Sequence, residues 1–165
     1  MNSELRRIGA EELRTRLSMA GAIDALERAF RDEEPAVGPL RTSVETPPGS
    51  LLLMPASSQR GVGVKLVSLT PGNPDRGLPF IHAVYVLFDP QTQAPVALLD
   101  GSALTALRTA AVSGLATRHL AREDAERLVV FGAGVQARSH LEAMLAVRPI
   151  DHVTVVRDLE PSMFW

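Results

Sequence analysis

The stretch Leu128-Val129-Val130-Phe131-Gly132-Ala133-Gly134-Val135-Gln136-Ala137 constrains the fold of this chain more than any other. A β-rich apolar run meets two glycines and closes on a small residue, the pattern of a strand turning into a helix around a phosphate. Gly132 permits the tight turn, Gly134 lets the backbone approach a pyrophosphate, and Ala137 keeps the helix close to its sheet. The phosphate charge is expected on free backbone N–H groups at the positive end of the helix dipole. A glycine motif standing alone carries little weight, but here its context agrees. Val135, Leu141, Met144 and Leu145 continue at helical spacing, and Val153-Thr154-Val155-Val156 follows as a second strand.

At 165 residues with 45% hydrophobic content, the chain is long enough to bury a core, and its length suggests one domain or one domain and part of another. The net charge of −2 supplies no polycationic surface, so nucleic acid and anionic lipid are not expected as partners. Cysteine is absent and the four histidines are scattered, which excludes disulfides and thiolate metal sites and gives no metal-ligand spacing. The longest apolar runs are too short to cross a bilayer, and Met1-Asn2-Ser3-Glu4 shows no basic-then-apolar signal pattern. A cytoplasmic protein is the expectation.

From about Ala10 to Arg31 an amphipathic pattern interrupted near Ala20-Gly21 predicts two short helices. Strands are expected over Arg41 to Thr46, Ser50 to Met54, Gly61 to Leu69, Phe80 to Asp89 and Ala94 to Leu99. The short turns between them imply a mainly antiparallel or mixed sheet. From Ser102 to Ala121 a long helix follows, capped by Asp100 or Ser102, with Leu104, Leu107, Ala111, Leu115 and His119 or Leu120 on one stripe. The small residues on its other face allow close neighbours. The charged connector after Ala121 marks the expected domain boundary.

Three cations stand in surroundings that do not look like solvated surface: Arg41, Lys65 within Gly61-Val62-Gly63-Val64-Lys65-Leu66-Val67, and Arg108 in a helix of small and apolar residues. One reading is a pocket for a carboxylate or phosphate, because a buried cation is costly unless it meets an anion. The other places Lys65 on the exposed face of an edge strand and pairs Arg108 with a local carboxylate. His82 reads as a packing histidine rather than a base.

Lys65-Leu66-Val67, Pro71-Gly72-Asn73, Gly77-Leu78-Pro79, Leu87-Phe88-Asp89-Pro90, Leu99-Asp100-Gly101, Leu104 to Ala111 and Gly132 to Ala137 occur in one order. Together they make the chain resemble the ornithine cyclodeaminase/mu-crystallin family. The resemblance implies an α/β fold: a mixed-sheet substrate and dimerisation domain over residues 1–122, then the first part of a Rossmann NAD(P)-binding domain over residues 123–165. It favours the pocket reading of the cations. By resemblance Arg41, Lys65 and Arg108 grip the carboxylate of a small amino or imino acid, and Lys65 also assists proton transfer as a catalytic residue. Thr109, Gly132, Gly134, Val135, Gln136 and Ala137 meet the cofactor, and the partner is a second copy joined through the first-domain sheet. The implied chemistry is hydride transfer between the nicotinamide and the carbon bearing the amine or imine.

Departures from the family pattern narrow this. Leu52 stands where ornithine-specific members carry Glu, and Ser68-Leu69-Thr70 where they carry Asn-Gly-His. A carboxylate for a distal ammonium is missing, which favours a ketimine reductase or amino-acid dehydrogenase over ornithine cyclisation. The residue after the second strand chooses the ribose: an acid accepts the 2′-OH of NAD, whereas Arg pairs with the 2′-phosphate of NADP. Here Arg157 precedes Asp158, which points to NADP rather than NAD. Family members continue beyond the position of Met163-Phe164-Trp165, and their catalytic aspartate lies there. The chain is therefore expected to be a truncated member with sheet edges unpaired and apolar surface exposed. Three readings follow: an oxidoreductase complete only when the missing half is supplied, a non-catalytic NADP-binding protein of the crystallin kind, or an inactive dimerising fragment.

Overall fold

The computed structural model describes residues 5–31, 38–59 and 61–157. By contact, the chain divides into two compact units, Met1–Arg16 with Asp32–Leu104 and Leu17–Arg31 with Thr105–Trp165. This grouping differs from the boundary expected at residue 122, because α2 (Met19–Phe30) and the long helix from Thr105 onward pack with the nucleotide-type elements.

The first unit is built on one mixed sheet. Its strands are β1 (Arg6–Ile8), β2 (Thr42–Thr46), β3 (Gly49–Ser58), β4 (Gly61–Leu69), β5 (Ile81–Phe88) and β6 (Pro95–Asp100), in the spatial order β1-β6-β5-β4-β3-β2. All neighbours are antiparallel except β1 and β6. The β5–β6 hairpin is closed by Asp89, whose Oδ1 accepts from the backbone N–H of Gln91 (3.0 Å) and Thr92 (2.7 Å) and from the Thr92 hydroxyl (2.9 Å). β3 runs on past the expected end at Met54 to Ser58. Its Pro55 is tolerated because β2 pairs only as far as Leu53, leaving β3 without a second neighbour there.

Between β4 and β5 the loop folds on Asn73, which is buried. Its N–H donates to Thr70 O and its Nδ2 to Pro79 O, while its own carbonyl accepts from Arg76 and Leu78. Gly77 completes the turn at φ +69°, where any side chain is strained. His82 is exposed opposite Ser68 rather than packed in a core, because it lies at the rim where β5 begins. α1 (Ala10–Arg16) contributes the buried Leu13. The break before α2 falls at Leu17-Ser18, not at Ala20-Gly21: Ser18 is the N-cap, its Oγ accepting from Gly21 N–H at 3.1 Å, so Ala20 and Gly21 lie in the first turn.

The second unit packs α2, the body of α3 (Gly101–Leu120), β7 (Arg127–Phe131), α4 (Val135–Leu145) and β8 (His152–Val156). Its core is Ala22, Ile23, Ala111 and Leu115, bordered by Leu17, Met19, Leu26, Leu107 and Val147. Gly114 makes this packing possible, since a Cβ there would meet Ile23 Cδ1 at 2.8 Å and Ala143 Cβ at 3.2 Å. Burial on α3 extends to Ala106 and Ala110, beyond the single stripe expected, and Leu120 at its end is exposed. Asp100 caps the helix, its Oδ1 accepting from Ala103 N–H at 2.9 Å. β7 and β8 pair in parallel, and Val129 and Phe131 are exposed on one face.

α2 and α3 are also joined by charge. Arg118 donates to Asp24 and Glu27, each at 2.9 Å, and Arg31 and His119 also reach Glu27. The Arg118 hydrogen bond, ahead of the Arg31 and His119 charges, holds the Glu27 carboxyl below the usual carboxylate range. A depressed folded pKa means stability that is complete above the unfolded carboxylate range and lost as the pH falls through the folded value. Glu27→Gln is therefore expected to be less stable than wild type at neutral pH, with the difference shrinking as the pH falls below about 4.5, measured by urea unfolding followed by circular dichroism at each pH. An unchanged acid profile would contradict the ion-pair account.

Candidate functional site

The glycine turn takes the geometry its sequence calls for. β7 ends at Phe131, Gly132 stands at φ +93°, and Gly134 is the N-cap of α4 in extended conformation, with no side chain closing the helix end. The N–H groups of the first helical turn have no intrahelical acceptor and point outward at the positive end of the dipole. A Cβ built on Gly132 or Gly134 meets nothing within 4 Å, so open space lies beside the backbone at both positions. Backbone donors facing open space suit a pyrophosphate, and a dinucleotide fits these residues on that ground. Val135 and Gln136 are exposed in the first turn, and Ala137 is half-buried behind them.

Gly132 N–H donates to Val156 O at 2.9 Å, which extends the β7–β8 pairing into the turn. That bond brings Arg157, the residue after Val156, to the same end of the strand pair as the glycines, with its side chain exposed. Asp158 lies outside the described residues.

In the first unit, Lys65 sits at the middle of β4, an interior strand rather than an edge, and is buried at 9% exposure. It shares its face with Gly63 and Val67 along the strand, and pairs across with Met54 on β3 and Tyr85 on β5. Arg41 immediately precedes Thr42, whose partner is Leu53. Arg41 lies one residue beyond that last pair, outside β2, while Met54, Lys65 and Tyr85 share one face of the sheet. Leu52 lies on this face too, opposite Val67, and supplies no carboxylate. Among the three cations only Lys65 is buried: Arg41 and Arg108 are exposed, the first because it stands beyond the end of the outer strand and the second because it projects from the solvent side of α3. Arg108 and Thr109 are consecutive on α3 and belong to the second unit, with the glycine turn.

Two residues escaped sequence reasoning. Tyr85 becomes conspicuous only through the register that sets it beside Lys65, and Arg148 only through its partners, which lie up to 31 residues away. Among the described residues no group of three metal-ligating side chains occurs, and no helix is long and apolar enough to cross a membrane.

The family model described as the ornithine cyclodeaminase/mu-crystallin family matches residues 8–163. The alanine dehydrogenase of Archaeoglobus fulgidus is 39% identical over 147 residues, covering 87% of this chain and 45% of that protein. A Delta(1)-pyrroline-2-carboxylate reductase of Bacillus cereus is 36% identical over 163 residues, covering 95% and 50%. Among solved structures, Thermococcus litoralis Delta(1)-pyrroline-2-carboxylate reductase in complex with NADH and L-proline matches with a TM-score of 0.84 at 38% identity, over 96% of this chain and 50% of that one. An archaeal alanine dehydrogenase dimer with bound NAD matches with a TM-score of 0.84 at 36% identity, over 93% and 48%. The chain thus spans about half the length of the relatives it matches.

Proposed function

This chain belongs to the ornithine cyclodeaminase/mu-crystallin family, and from that premise we propose that it carries the carboxylate-binding sheet and the dinucleotide turn of an NAD(P)-dependent oxidoreductase acting on a small amino or cyclic imino acid. The observation that carries this reading is the glycine turn, with Gly132 at φ +93°, an uncapped α4 and open space at both glycines. The bound nicotinamide supplies the hydride, given to or taken from the carbon bearing nitrogen. By the family resemblance Arg41, Lys65 and Arg108 are read as the cations that take the substrate carboxylate, and Lys65 as the candidate proton donor. Thr109 meets the cofactor with the first turn of α4.

Leu52 on the Lys65 face leaves a distal ammonium without a counter-ion, which favours imine reduction or amino-acid dehydrogenation over ornithine cyclisation. The relatives that this chain matches at 36–39% identity include an alanine dehydrogenase and a Delta(1)-pyrroline-2-carboxylate reductase. Residues 1–122 are read as the substrate and dimerisation domain and 123–165 as the start of the Rossmann domain. Support for a homodimer through the first-domain sheet comes from the face opposite Lys65, where Leu51, Leu53, Val64, Leu66, Val84 and Val86 form an apolar, half-buried surface. Arg157 at the end of β8 favours NADP.

The test titrates the chain with NADH or NADPH by nicotinamide fluorescence and then with a five-membered cyclic imino acid. The expected result is saturable cofactor binding together with imino-acid binding that is lost in Lys65→Met. A folded chain that binds neither the cofactor nor the imino acid would overturn this reading. In the same assay Arg157→Ala is expected to weaken NADPH about tenfold while NADH changes less than about twofold, because only the 2′-phosphate loses its partner. Equal effects on both cofactors would contradict the assignment of Arg157.

A further inference from the structure

The face that carries Lys65 is not open on all sides. Tyr85 stands directly across from Lys65 in the β4–β5 pairing, so the two side chains rise from the same face. The tyrosine does not stand upright beside the lysine. Its ring leans along the sheet and covers Gly63, the next residue on that face: a Cβ built at Gly63 would collide with the phenol oxygen and its carbon and come within 2.9 Å of Cε1. Residue 63 is therefore a glycine because Tyr85 occupies the place of its side chain. Residues two apart on a strand are about 7 Å apart, roughly the length of a small amino acid. The phenol thus closes one flank of Lys65, and Val67, buried at 7% exposure, closes the other.

We propose that Tyr85 is a specificity-determining residue of the Lys65 site, a wall laid over Gly63 that restricts the ligand to amino or imino acids with a short or compact side chain. The proposal rests on the reading of Lys65 as a carboxylate-binding group. It goes beyond that reading by naming what sets the size of the substrate. A wall of this kind discriminates by steric exclusion, so one added methylene is worth about tenfold or more in affinity. Tyr85 is the sole tyrosine of the chain, so a tyrosine difference signal, once resolved from the indole of Trp165, reports on this wall.

The experiment measures binding of L-proline and of its six-membered-ring homologue, piperidine-2-carboxylate, by calorimetry, to wild type, Tyr85→Val and Tyr85→Leu. Folding of each variant is checked by circular dichroism, and the two sizes of replacement guard against loss of one variant. Wild type is expected to prefer L-proline, with a tyrosine difference spectrum on binding, and the variants to shift the ratio toward the larger ring by about tenfold. Gly63→Ala, which forces the phenol off the backbone toward the ligand, is expected to weaken both. An unchanged ratio in folded variants, with binding still abolished by Lys65→Met, would overturn the wall and leave the function standing. Failure of wild type to bind either ligand would overturn both.

Discussion

Arg148→Ala is expected to destabilise the second unit by about 3 kcal/mol. The guanidinium of Arg148 lies under the C-terminal end of α3 and donates to five backbone carbonyls. Nη2 reaches Thr117 and Arg118 at 2.8 Å and Ala121 at 2.7 Å, Nε reaches Arg122 at 2.8 Å, and Nη1 bonds Val147. The last carbonyls of a helix have no partner within it and carry its negative pole, so a cation here satisfies acceptors and opposes the dipole together. Removing it takes the side-chain donor from the part-buried Arg118 and Ala121 carbonyls, while Thr117 O keeps the Ala121 N–H and Arg122 O the Ala125 N–H; each unsatisfied carbonyl costs about 1–3 kcal/mol, not fully additively. Urea unfolding followed by circular dichroism measures the loss. Arg148→Lys should recover less than half of it, because an ammonium cannot span the same fork of acceptors. A loss below about 1 kcal/mol for the alanine variant would show the contacts to be incidental.

Gly132→Val is expected to lower dinucleotide affinity by about a hundredfold. At φ +93° a β-branched residue is strained by roughly 2–3 kcal/mol. The backbone can escape only by giving up the bond from Gly132 N–H to Val156 O or by rotating the first turn of α4. Either movement re-aims the N–H groups that face the open space beside Gly134. The effect should therefore fall on cofactor binding, read by nicotinamide fluorescence, and on the melting temperature of the second unit. Retention of full affinity by the folded variant would show that phosphate does not sit at this turn.

Much of this architecture was legible before the structure. The bounds of β4 agree with the sequence expectation because Gly61 and Leu69 are flanked by turn residues and the run between them is apolar or small throughout. The strand-helix-strand at Leu128 to Val156 followed from a glycine pattern whose spacing is fixed by φ and by backbone approach, both of which the sequence encodes locally. Three things did not follow. β1 is only three residues, two of them arginine, and owes its conformation to parallel pairing with β6 some 90 residues away. The grouping of α2 with α3 depends on Gly114 admitting Ile23, a contact across a similar span. Exposure also misled. Arg41 and Arg108 share with Lys65 a neighbourhood of small and apolar residues, yet only Lys65 lies on an interior strand whose neighbours cover it. Its partner across the strands, Tyr85, carries no motif, and register alone brings it to the site.

The measurement that tests the central claim most directly is a titration of the 165-residue chain with NADH and with NADPH, following nicotinamide fluorescence and thermal stability on the same samples. Saturable enhancement with a matching rise in melting temperature, stronger for NADPH, is the result predicted by an open glycine turn with Arg157 beside it. A folded protein that responds to neither cofactor by either readout would contradict the assignment of Gly132 to Ala137 as a dinucleotide site.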